Sequence, residues 1–193
     1  MSNKEIFIET YNKNIHRPGA EKLLAWLEGT DFFTAPASTR FHAAYEGGLL
    51  DHSLNVYNVL ISKHFNPETD DLESYTIVSL LHDLCKANYY KAGTRNVKNE
   101  TTGQWEKVPS YSVEDLFPYG HGEKSVFLIE RFMKLKVEEA VAIRWHMGGF
   151  DDAARGGCFA ISEAYDKYPL AVKLHIADLE ATYLMEHRTS AVH

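Results

Sequence analysis

The sequence predicts an all-α domain interrupted by one β-hairpin. Two observations lead there. Apolar residues recur at helical spacing along most of the chain. One stretch alone, residues 89–112, turns into extended-looking runs, YYKAGTRNV and QWEKVPSYSV, joined by the turn-rich KNETTG. A third observation sets the scale: 193 residues without a composition shift suit a single core, so residues 1–193 are read as one domain.

Taken in order, Ile6, Ile8, Tyr11 and Ile15, then Leu23, Leu24, Trp26 and Leu27, predict two short helices on either side of Pro18-Gly19. The segment from Thr30 to Gly48 reads as loop, ending in Gly47-Gly48. A helix then starts near Leu49, carries His52, and stops before Asn66-Pro67. Tyr75, Val78, Leu81, Leu84 and Cys85 give a wide apolar face to a further helix over about 71–86, which contains His82 and Asp83. After the hairpin, helices resume near Gly122 through SVFLIERFMKL, VEEAVAIRWH, FAISEAYDKY and PLAVKLHIADLEATYLMEH, with Pro169 at a first helical position.

An apolar fraction of 45% and a charged fraction of 24% exclude disordered and fibrous classes. A formal charge of -7 argues against an extended nucleic-acid surface, which needs many phosphate-neutralising cations. Cys85 and Cys158 are too few for a disulfide scaffold and read as buried thiols. The N-terminus mixes charges into its apolar residues, unlike a signal peptide, and no stretch suits a membrane span, so the expected location is cytoplasmic. The oligomeric state stays open.

Of ten histidines, few carry a signal. His52, the His82-Asp83 pair and Asp178 each lie on a predicted helix in apolar surroundings, where an unpaired charge is expensive to bury. A shared metal resolves that cost: two carboxylates and two neutral imidazoles give the mixed oxygen and nitrogen shell of a divalent cation. His175 shares a helix face with Asp178 and reads as either a supporting residue or a core one. His16, His64, His187 and His193 sit near chain or helix ends and carry no assignment. Trp26, Trp105, Trp145 and Tyr183 read as core rather than as a stacking platform.

GGLLDHSLNVYNVL, LLHDLCK and HIADLEATYL, in that order, resemble the three signature helices of the HD-domain superfamily of metal-dependent phosphohydrolases, whose pattern is H…HD…D. The resemblance spans residues 42–185. It implies an HD-type helical bundle that hydrolyses a nucleotide or related small phosphate ester through a metal-activated water. His121 in FPYGHGEKS and His146 in AIRWHMGG are similar to the extra ligands of a two-metal branch. That likeness implies two cations, with His52, His82 and Asp178 on one, His121 and His146 on the other, and Asp83 bridging. Mn, Fe, Mg, Ni and Zn all remain admissible. Catalytic roles fall to Asp83 and Lys86, the latter reading equally well as an ordinary helix-end lysine.

Arg40, His42, Lys86, Arg95, Lys98 and Arg144 are the candidate substrate contacts. The segment from Lys86 to Lys107 carries an excess of three positive charges, against which stands the reading of a solvated strand face. Three rivals follow from the same resemblance: a di-iron oxygenase, a nucleotide-sensing module, and a 3′-5′ nuclease. The last is disfavoured by the lack of room for a separate oligonucleotide-binding domain.

Overall fold

A computed structural model describes residues 1–186; His187 and His193 lie outside the described residues. The fold is mostly helical with one inserted two-stranded hairpin. Its elements are α1 (Asn3–Asn14), α2 (Ala20–Glu28), α3 (Gly48–Val59), α4 (Leu72–Leu81), β1 (Tyr90–Lys98), β2 (Trp105–Val113), α5 (His121–Glu130), α6 (Val137–Trp145), α7 (Asp152–Arg155), α8 (Ala160–Lys167) and α9 (Pro169–Glu180).

The centre is α4, in which every residue from Ser74 to Leu81 is buried. A helix buried all round must hide its hydroxyls as well, and Thr76 and Ser79 donate back to the carbonyls of Leu72 and Tyr75 at 2.8 and 2.7 Å. Helices α1, α3, α6 and α9 pack around it, and α5 packs on α6. At one edge, the Arg17 guanidinium grips the fully buried Glu139 at 2.7 and 2.8 Å and also reaches Glu73 at 3.1 Å, tying the α1–α2 link to α4 and α6.

Local starts follow known chemistry. Ser2 and Glu5 form a capping box on α1, Asp71 caps α4 through the Glu73 N–H, and Pro169 opens α9. Several expectations need correction. The helix expected over 71–86 ends at Leu81; Asp83 leaves the helical region (φ -100°, ψ 22°) and Leu84–Lys86 forms a 3-10 turn, a common way for a helix to tighten at its end. The short α7 has no counterpart among the expected helices. Cys85 is buried but Cys158 is exposed, and Trp105 and Tyr183 are 70% and 53% exposed rather than core. The hairpin pairs Tyr90 with Val113 through to Lys98 with Trp105. Most of both strands is exposed, so it projects from the helices rather than packing among them. No helix among the described residues is long and apolar enough to cross a membrane.

Candidate metal centre

Six side chains from five segments converge beneath one cavity. His52 comes from the middle of α3, His82 and Asp83 from the turn after α4, His121 from the first turn of α5, His146 from the residue after α6, and Asp178 from α9. His52, His82, Asp83 and His146 are buried, and His121 and Asp178 are partly buried.

The two oxygens of Asp83 face different histidine pairs. Oδ2 lies 3.6 Å from Nε2 of both His52 and His82. Oδ1 lies 2.8 Å from Nε2 of His121 and 3.5 Å from Nε2 of His146. Asp178 Oδ1 is 3.2 Å from His52 Nε2, and the Asp178 carboxylate also groups with His82 and His146. The six residues named from the sequence are therefore brought together: two sets share Asp83, and a third joins Asp178 to His82 and His146, one from each pair.

Each imidazole is oriented by its other nitrogen. His82 Nδ1 is 2.9 Å from the Ser79 carbonyl, and His146 Nδ1 is 2.6 Å from that of Ile143. His52 Nδ1 meets the Glu186 carboxylate at 2.8 Å, and His121 Nδ1 lies 3.4 Å from the Cys85 sulfur. A ring that keeps its proton on Nδ1 for that acceptor and gives up any proton on Nε2 offers the Nε2 lone pair inward, the arrangement of a histidine metal ligand.

Two of the four rings hold a second proton. Burial disfavours a charge on His52, but hydrogen bonds to Asp178 and Glu186 overcome it and carry the pKa up to about 10. His121 is likewise opposed by burial and raised to about 10 by the Cys85 sulfur and Asp83. His82, with burial dominant, falls to about 3. Burial would raise Asp83, yet Lys86 and the surrounding histidines hold it well below the usual carboxylate range. The cluster balances its carboxylates with protons on two imidazoles, and divalent cations can take the place of those protons.

The backbone explains why His121 reaches His146. Gly122 lies so close to α6 that a Cβ would come within 2.3 Å of the Arg144 carbonyl oxygen. Only glycine permits that approach, and the two imidazole rings end 5.1 Å apart.

The cavity above the cluster has a volume of about 580 Å³, within the range of small-molecule sites. Of the substrate contacts expected from the sequence, Lys86 and His42 line it. Lys86 is buried and bound to Asp83 Oδ2 at 2.6 Å. The His42 ring stands 5.1 Å from that of His52. The structure does not bring Arg40, Arg95, Lys98 or Arg144 to this cavity. Arg40, Arg95 and Lys98 are exposed and do not line it, although Thr39 and Phe41 on either side of Arg40 do, and the hairpin contributes only Tyr90 and Val113 from its base. Arg144 is committed to Glu123 and Asp151 at 2.5 and 2.8 Å and lies over the Trp145 ring. His175 plays a supporting part, its Nδ1 2.6 Å from the His146 carbonyl.

Sequence reasoning missed Glu186, which also accepts from Asn55 at 3.2 Å. Nothing local distinguishes it: it follows the π turn Ala181–Met185, and its role appears only when α3 lies beside it. Glu186→Ala is expected to weaken cation binding by about 10–100-fold while leaving the fold intact, since it releases His52 without removing a ligand. Titration of the variant with Mn²⁺ checks this; an unchanged affinity would remove Glu186 from the site.

No protein-family model, curated protein or solved structure matches the chain.

Proposed function

We propose that the chain is a metal-dependent phosphohydrolase acting on a small phosphate ester, a nucleotide or a relative of one, with an HD-type centre. The observation that carries this reading is Asp83, whose two oxygens address two separate histidine pairs on the floor of an open cavity. The resemblance of the three helical stretches to the HD superfamily supports the same reading and supplies the phosphate preference. Four imidazoles with two carboxylates suit Mn, Fe, Ni or Zn better than Mg, which prefers oxygen ligands and retains its waters.

Divalent cations held by His52, His82, Asp83, His121, His146 and Asp178 would supply Lewis-acid polarisation of a phosphoryl oxygen and a water of lowered pKa. The chain's own residues do the rest. Asp83 and Asp178 keep their negative charge, while burial holds His82 neutral. The Lys86 ammonium, whose pKa is raised by Asp83 despite burial, stays protonated at the cavity wall, where it offsets charge on a phosphoryl group. Tyr90, its hydroxyl donating to the Ala37 carbonyl at 3.2 Å, lines one side of the cavity.

The test is a panel of nucleotides, simple phosphomonoesters and single-stranded oligonucleotides, assayed for phosphate release under argon with Mn²⁺, Fe²⁺, Ni²⁺, Zn²⁺ and Mg²⁺ separately. Release of phosphate from a small ester without oxygen is expected. Product formation seen only when the panel is repeated in air with Fe²⁺ would instead favour the oxygenase reading, and no turnover of any ester with any metal would overturn hydrolysis.

A further inference from the structure

Apart from the histidines of the metal centre, two basic side chains line the cavity among the described residues, Lys86 and Arg155. Lys86 is occupied by Asp83. Arg155, the last residue of α7, is exposed, and its guanidinium has no ion pair or hydrogen bond among the described residues. Arg155 is thus the basic side chain left uncommitted at this site among the described residues.

Three aromatic side chains lining the same cavity are left exposed, Tyr183 and the two phenyl rings of Phe41 and Phe150. Phe41 and Phe150 are 68% and 57% exposed and line the same cavity. Phenyl rings left in water around a cavity whose floor is charged offer apolar surface that a bound ligand can cover.

Both rings are carried on constrained backbone. Phe150 ends a 3-10 turn, Gly148–Phe150, that begins two residues after His146. Gly148 has φ +57°, and a Cβ there would meet the His175 ring at 2.3 Å, so the turn is seated directly on the residues that support His146. On the opposite loop, the Phe41 N–H donates to Ser38 Oγ at 2.9 Å, and that hydroxyl donates to the His42 carbonyl at 2.7 Å. Ala43 follows with φ 44°, a left-handed conformation that costs a non-glycine residue energy. The backbone carrying both rings is therefore anchored next to residues of the metal centre.

We propose that Phe41, Phe150 and Arg155 form a recognition rim for the planar ring of an aromatic or heteroaromatic phosphate ester, with Arg155 as its anion contact. The proposal rests on the phosphohydrolase reading and specifies the substrate class of that site. The floor takes the phosphate, the two phenyl rings take the flat part of the molecule, and the guanidinium offers a planar fork to phosphate oxygens that Lys86, held on Asp83, is less free to serve. It also moves the anion contact from the hairpin, where charge alone pointed, to α7.

Phenylphosphonate and methylphosphonate, which share the anionic group and resist hydrolysis, separate the two parts of the rim by calorimetric titration into Mn²⁺-loaded protein. Phenylphosphonate is expected to bind at least about tenfold more tightly than methylphosphonate. In the double variant Phe41→Ala/Phe150→Ala that preference should fall to within about twofold, with methylphosphonate affinity unchanged. Arg155→Ala should weaken both ligands by about tenfold, and Arg95→Ala neither. All these side chains are exposed, so folding is not at stake. Equal affinities in the wild type, a preference that survives the double variant, or an Arg155→Ala protein that binds both ligands normally would overturn the rim while leaving phosphate binding at the floor standing. Failure of both phosphonates to bind the wild type would overturn the rim and the phosphohydrolase reading together.

Discussion

Asp83→Ala is expected to leave the protein without measurable activity and without stoichiometric metal. Among the described residues, Asp83 is the side chain whose separate oxygens serve both histidine pairs, so its removal deprives His52 and His82 on one side, and His121 and His146 on the other, of their common anion. It also strands the Lys86 ammonium, which is buried against Asp83 Oδ2. Breaking a buried pair from one side typically costs about 3–5 kcal/mol, so Asp83→Ala should also be less stable. Asp83→Asn keeps the shape and still offers Lys86 a carbonyl oxygen; it separates the effects. It should remain folded, and lose activity and metal all the same. Normal turnover and full metal content in the Asp83→Asn variant would exclude the bridging carboxylate.

Cation loading is expected to raise thermal stability, and by more at higher pH. At a free cation concentration a hundred times the dissociation constant, binding adds about 2.7 kcal/mol to the folded state. The direction with pH follows from the imidazoles. His52 and His121 both have pKa values raised to about 10 in the cluster, above the ordinary value of 6.5. In chelated protein their contribution to stability is fully present below pH 6.5 and is lost as pH rises towards 10. In loaded protein the same nitrogens must be deprotonated, so each displaced proton makes binding stronger as pH rises, by up to about tenfold per unit. The gap in melting temperature between loaded and chelated samples should therefore widen from about pH 6 to about pH 8, reversing with chelator. A gap that narrows over that interval, or no gap, would mean that the histidines are not ligands.

How much of this is legible in the sequence depends on distance along the chain. His52, His82, Asp83 and Asp178 can be named because each sits in an apolar helical stretch where a charge demands a partner, and the three stretches keep a recognisable order. His121 and His146 need the resemblance, since a histidine after Gly120 or at a helix end is ordinary by itself; what unites them is the Gly122 approach to Arg144. The hairpin is visible to within a residue at each end, yet its excess of positive charge misleads. A charge sum has no direction, and strands exposed on both faces carry Arg95 and Lys98 away from the cavity. Arg144 misleads for a related reason, because Asp151 and Glu123 neutralise it only once α5, α6 and the turn before α7 are assembled. Glu186 and the exposed Phe41 and Phe150 belong to the same class: their meaning lies in what packs beside them.

A cradle for two cations that share Asp83 is tested most directly by counting cations per chain. Wild-type protein and the His121→Ala/His146→Ala double variant would be saturated with Mn²⁺, freed of excess metal by gel filtration and analysed for metal and protein together. About two cations per chain in the wild type and about one in the variant are expected for two sites of this kind. A single cation per wild-type chain, with the double variant retaining the same content and the same activity, would contradict it.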